Sequence, residues 1–204
     1  MTSLHLPPSA EGARSTRQVL SKRQAATVDA LLEAGLQALH DVGWEGLSLR
    51  DVASRAGVTH TTAYNYFTSK EHLVAEINWR LLESLPDPVT LPDSSLAERL
   101  TASLREATEM FIDDPELAAG VFAAMVARDP DIQRLRDAIG GELLRRLEVA
   151  AGPDPDPQVV WAALMVYSGA MLQAGMGYFS FDEVVAKVEA ILAMVRSADG
   201  RPVG

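Results

Sequence analysis

Between Thr59 and Tyr66 the chain places three threonines, two tyrosines, a histidine and an asparagine around a single alanine, with a lysine at position 70. Hydroxyls, an amide and an imidazole at this density form a hydrogen-bonding surface with almost no fixed charge. Such groups suit recognition of base edges and phosphate oxygens better than catalysis. The usual marks of catalysis are missing from the rest of the sequence. There is no cysteine, which excludes a thiolate zinc site, a disulfide framework and a cysteine nucleophile. His5, His40, His60 and His72 have no ligand spacing with one another. Ser168 sits in Tyr-Ser-Gly, without the glycine-serine-glycine elbow of a hydrolase and without an evident histidine partner. No glycine-rich phosphate loop follows a strand. No catalytic residue, metal or cofactor is therefore expected.

The elements that must carry these groups read as helices. From Arg23 to Val42, Ala25, Val28, Leu32, Leu36 and Leu39 recur at helical spacing, and Gly43 stands where a C-terminal cap belongs. Ser48 opens a short helix, Leu49 to Ala56, with Asp51 as the acidic partner of a capping box. Gly57-Val58-Thr59 then turns the chain, and Thr59 caps a third helix, His60 to Phe67. On it Ala63 and Phe67 face inward, leaving His60, Thr61, Thr62, Tyr64 and Tyr66 outside. A fourth helix runs from Lys70 to about Leu85 behind Ser69. After the break at Pro86-Asp87-Pro88 and Pro92-Asp93, further helices are predicted over Leu96–Ile112, Pro115–Arg128, Asp131–Ala150, Val159–Tyr178 and Asp182–Ser197. No run alternates like a half-buried strand, so the chain is expected to be all-α.

Two short helices around a glycine turn, the second with a polar outer face, make a helix-turn-helix suited to a major groove. The run from Leu49 to Glu71, with Ala-Gly-Val-Thr followed by Tyr-x-Tyr-Phe-x-Ser-Lys, resembles the N-terminal signature of the TetR family of transcriptional regulators. The likeness extends over roughly Ala25 to Leu85. It implies an N-terminal DNA-binding domain followed by a larger helical domain that binds an effector and dimerises. It also implies roles. Arg50 reaches a guanine edge or the backbone; His60, Thr61, Thr62 and Tyr64 enter the groove behind the cap Thr59; Tyr66 and Lys70 contact phosphates. Asn65 and Ala63 depart from the pattern, and Asn65 either reads an adenine or is solvated. The domains expected are a disordered arm over 1–21, the DNA-binding domain over 22–70 and the effector and dimer domain over 71–204.

The later helices are bulky and rich in methionine. Met110, Phe111, Phe122, Met125, Trp161 and Met165 are the candidate lining of an apolar ligand pocket. No buried charged cluster is visible, so the effector is expected to be small and apolar. In the eighth and ninth helices Gly169, Leu172, Met176, Val184, Val188 and Ile191 form a candidate homodimer face. The resemblance implies the same placement and a near-palindromic double-stranded operator. Release of a repressor by ligand is the commoner behaviour of the family; activation stays open. A helical carrier protein without DNA function and a small helical enzyme are the rivals.

A net charge of −10 argues at first against a nucleic-acid partner. The charge is uneven, however. Residues 1–85 hold eight Lys and Arg against nine Asp and Glu, whereas residues 86–204 hold ten against nineteen. Arg14, Arg17, Lys22 and Arg23 form a local basic arm, and binding needs only a local positive face. The N-terminus lacks the apolar core of a signal peptide, and no uninterrupted apolar run is long enough to span a bilayer. A cytoplasmic protein with no membrane partner is the expectation.

Overall fold

The computed structural model describes residues 22–89 and 94–199. The arm expected over 1–21, with Arg14 and Arg17, lies outside the described residues. Among these there are nine helices and no strand: α1 (Lys22–Gly46), α2 (Leu49–Arg55), α3 (His60–Tyr66), α4 (Lys70–Glu83), α5 (Leu96–Ile112), α6 (Pro115–Val126), α7 (Pro130–Ala151), α8 (Pro157–Gly175) and α9 (Phe181–Asp199). The all-α reading holds. No helix is long and apolar enough to cross a membrane among the described residues.

The chain folds into two compact units. Of the described residues, the first gathers 22–84 together with Pro115–Ala138, and the second gathers 85–89, 94–114 and 139–199. This division differs from a boundary at residue 70. The reason is the burial of α4 and α6: Leu73, Val74, Ala75 and Ile77 of α4 and Leu117, Ala118, Val121 and Ala124 of α6 are all buried, and α6 packs on both α1 and α4.

In the first unit α1 buries Val28, Leu31, Leu32, Leu36 and Leu39, the stripe its periodicity predicts. Each such side chain contributes roughly 1.5–3 kcal/mol when withdrawn from water. The helix proper stops before Gly43, whose φ of 71° and ψ of 171° break the spiral. That left-handed backbone is costly for any residue with a Cβ. A Cβ there would also meet the Glu116 carboxylate at 2.9 Å. Glu116, in the first turn of α6, accepts the Trp44 backbone N–H at 2.6 Å. The start of α6 thereby grips the connector between α1 and α2.

The second unit is built on α5, the later part of α7, α8 and α9. Ser95 and Glu98 start α5 with a reciprocal capping box, and Asp156 caps α8 ahead of Pro157. Leu100, Leu104, Leu147, Val160, Ala163, Leu164, Tyr167, Val184, Val188 and Leu192 make the core. Inside it the Thr108 hydroxyl stands 2.7 Å from the Leu104 carbonyl, to which it donates, and 3.2 Å from the Tyr167 hydroxyl. Among the described residues of this unit Arg146 is the buried cation, only 1% exposed. Its guanidinium donates to the Leu85 and Pro86 carbonyls and to Glu106 at 2.7 Å. Gly140 and Gly141 lie inside α7 with open space where their Cβ atoms would stand.

Candidate nucleic-acid interface

The candidate reader is α2, the Gly57 turn and α3. Ser48 caps α2 by accepting the Asp51 N–H at 3.2 Å. The reciprocal half of the predicted box is absent, because the Asp51 carboxylate accepts from Arg55 Nε at 2.7 Å instead. Arg55 also donates to Asp41 of α1. This bond, more than the one to Asp51, raises the guanidinium pKa above its usual value. Arg55 thus staples α2 to α1. Arg50, exposed on the same helix, makes no hydrogen bond or ion pair among the described residues, so it is the cation that α2 presents outward.

Gly57 has φ of 69° and no atom within 4 Å of its Cβ position, so the turn demands glycine for its backbone alone. Beyond it Thr59 accepts the Thr62 N–H at 3.1 Å, and the two hydroxyls stand 2.9 Å apart. Within α3 only Ala63 is buried, and Phe67 follows it as a buried C-cap. His60, Thr61, Tyr64 and Asn65 are exposed. Their spacing, one, four and five residues on from His60, puts all four on one face. Tyr64 is 54% exposed, a large aromatic left in solvent beside polar neighbours. Thr62 and Tyr66 are half-buried at its edges.

Lys70 has a second task that its sequence position does not suggest. Its ammonium donates to the Trp44 carbonyl at 2.9 Å and lies over the Trp44 ring, 4.0 Å from the centroid. A cation in the first turn opposes the helix dipole, and the Trp44 carbonyl and ring face compensate it. An ammonium has three N–H groups, so a phosphate contact remains open to it.

The residues assigned to a ligand pocket fall in both units. Phe122 and Met125 belong to the first unit; Met110, Phe111, Trp161 and Met165 belong to the second. Met110 and Phe111 are buried, with the Phe181 ring 5.8 Å from that of Phe111. Trp161 and Met165 are instead 52% and 59% exposed. Trp161 borders an open recess of about 470 Å³ that Leu144, Val149, Pro155 and Val160 also line.

The dimer-face residues divide as well. Val184 and Val188 are fully buried in their own protomer's core and are unavailable to a partner, a correction to their assignment. The wide apolar stripe of α9 satisfies α5 and α8. Leu172, Met176 and Ile191 are exposed, and Gly169 faces open space. Trp161, Met165, Gly169, Leu172 and the C-cap Met176 follow one another at helical spacing along α8, while Ile191 is exposed on α9. The sequence reading missed Trp44, Glu116 and Asp129. Each acts through a contact far away in sequence that leaves no local pattern.

Comparison with known proteins agrees with this geometry. Residues 31–77 match the family model described as bacterial regulatory proteins, tetR family. The chain is 36% identical over 184 residues to the uncharacterized HTH-type transcriptional regulator Rv0767c of Mycobacterium tuberculosis, covering 89% of this chain and 86% of that protein. A TetR transcriptional regulator from Rhodococcus sp. RHA1 has the same fold, with a TM-score of 0.68, 20% identity and coverage of 87% and 98%. Thermus thermophilus FadR, a TetR-family transcriptional repressor solved in complex with lauroyl-CoA, aligns with a TM-score of 0.57 and 16% identity over 81% and 93% of the two chains. With its helix-turn-helix, its all-helical fold and a relative similar over nearly its whole length, the chain belongs to the TetR family of DNA-binding transcriptional regulators.

Proposed function

We propose that the protein is a homodimeric repressor that leaves a near-palindromic operator when a small apolar effector binds its second unit. The observation that carries the reading is the exposed face of α3, where His60, Thr61, Tyr64 and Asn65 stand clear of their own domain. Arg50 joins them from α2, and Tyr66 and Lys70 serve the phosphate backbone. In a twofold assembly two such helices enter successive major grooves about 34–36 Å apart. The outward row of α8, with Leu172 and Met176, supplies the apolar surface for pairing. The repressor reading draws support from FadR, a repressor solved with lauroyl-CoA, whose acyl chain, though not its charged coenzyme A head, is apolar. The setting is the cytoplasm, where bacterial DNA lies.

The test is a mobility shift on the protein's own upstream DNA at fixed salt, because phosphate contacts make affinity steeply salt-dependent. Tyr64→Ala is expected to abolish the shift while the protein stays folded. Footprinting is expected to protect two half-sites related by a dyad. Fatty acids, acyl-CoAs and sterols, screened by thermal shift and then by displacement of DNA, identify the effector class. An unaltered shift with Tyr64→Ala would remove the groove assignment.

A further inference from the structure

α3 is a helix of seven residues with one buried side chain of its own, Ala63. A helix that gives most of its surface to a ligand is held chiefly by its ends. At the start Thr59 provides the cap. At the finish Phe67 is buried, its ring edge-on to His72 at 5.4 Å. The next residue, Thr68, donates its backbone N–H to His72 Nδ1 at 3.2 Å. Its hydroxyl donates to Asp129 Oδ2 at 3.0 Å, a bond that spans 61 residues of sequence.

Asp129 is itself fixed. Its other carboxylate oxygen caps α7, accepting the Asp131 N–H at 2.7 Å and the Ile132 N–H at 3.4 Å. Ile132 is fully buried against Ala75 and Ala124. Arg136, one turn further on, donates to the Met125 and Ala127 carbonyls and closes the bend between α6 and α7. The carboxylate therefore occupies a rigid mount and offers a charged acceptor to the turn that ends the reading helix.

We infer that Asp129 is a positioning residue for DNA recognition: it sets the C-terminal end of α3 by holding the Thr68 hydroxyl. A bond to a charged acceptor, partly in solvent, corresponds to about a five- to tenfold change in operator affinity when it is lost. The inference rests on α3 being the groove-entering helix.

The experiment uses the full chain, an operator fragment recovered from genomic DNA and a random fragment of equal length, both titrated at one salt concentration well below the melting temperature. Thr68→Val is expected to weaken operator binding about five- to tenfold and to leave random-DNA binding unchanged, with Thr68→Ser restoring it. Asp129→Ala is expected to weaken operator binding as much or more, and Asp129→Asn, whose Oδ1 still caps α7 and whose amide N–H can donate to the Thr68 hydroxyl instead of accepting from it, to retain most of it. In the Thr68→Val, Asp129→Ala double variant the losses are expected to overlap rather than multiply. Multiplying losses, equal losses on both DNAs, or operator affinity unchanged in Thr68→Val would each overturn the inference. Tyr64→Ala separates the two claims. If it abolishes binding while the Thr68 and Asp129 variants do nothing, only the positioning role fails; if it too does nothing, the groove reading fails.

Discussion

Lys70 is assigned two contacts that one substitution, Lys70→Met, can separate. Methionine keeps the length and apolar stem while removing the charge. The half-buried bond from the ammonium to the Trp44 carbonyl at 2.9 Å is worth about 1.5–3 kcal/mol as a charged hydrogen bond. The contact with the indole ring at 4.0 Å adds about 0.5–1 kcal/mol. Removing a cation from a helix N-terminus returns about 0.3–1 kcal/mol. The balance is a destabilisation of about 2 kcal/mol, to be read by urea unfolding, or a fall of about 4–8 °C in melting temperature for a chain of this size. DNA binding gives the second readout. Each phosphate contact contributes about 0.9 to the slope of log affinity against log salt. A dimer that loses two such contacts is expected to show a slope shallower by about 1.8. A loss of stability below about 0.5 kcal/mol would refute the anchoring of the α1–α2 connector by Lys70. An unchanged salt slope would refute its phosphate contact.

Gly140 and Gly141 occupy helical positions with nothing near their Cβ sites, so Gly140→Ala and Gly141→Ala are each expected to raise stability by about 0.5–1 kcal/mol, measured by chemical denaturation. Tyr167 is fully buried, and burial, opposed by its bond to Thr108, pushes its pKa from 10.0 up to about 12. The folded state prefers the neutral phenol, so this stabilisation is complete below about pH 10 and disappears as pH rises through about 12. A melting temperature that falls over that range, with the fall reduced in Tyr167→Phe, is the expected result. Leu172→Glu and Met165→Glu alter side chains already in solvent, so protomer stability is expected to change by no more than about 0.5 kcal/mol. Light scattering is expected to show monomers; persistent dimers would move the interface elsewhere.

The fold was legible wherever a helix obeyed its own local chemistry. Ser48, Thr59 and Ser69 announce α2, α3 and α4 and cap them in the structure. Gly43 and Gly57 mark the two turns and have the positive φ those turns need. The face of α3 could be read because Ala63 and Phe67 fix which side is inward, and Tyr64 then falls outside. Long-range contacts were not legible. Val184 and Val188 form an apolar stripe that serves an internal core or an interface equally well; only packing against α5 and α8 decides for the core. Thr62 and Tyr66 are half-buried where a helical wheel leaves them outside, Thr62 with its hydroxyl 2.9 Å from that of the cap Thr59. Lys70 reads as a surface lysine until Trp44, 26 residues earlier, is placed beneath it. The Asp51 carboxylate had a choice between Ser48's N–H and the Arg55 guanidinium, and the stronger charged partner took it.

The carboxylate of Glu116 fills the space that any side chain at position 43 would need. Two sites 73 residues apart in the chain are therefore neighbours in space. A side chain at 43 would strain the left-handed backbone and push this flexible carboxylate aside, at the expense of its bond to the Trp44 N–H. Among relatives the two positions are expected to change together, with glycine at the first accompanying glutamate at the second.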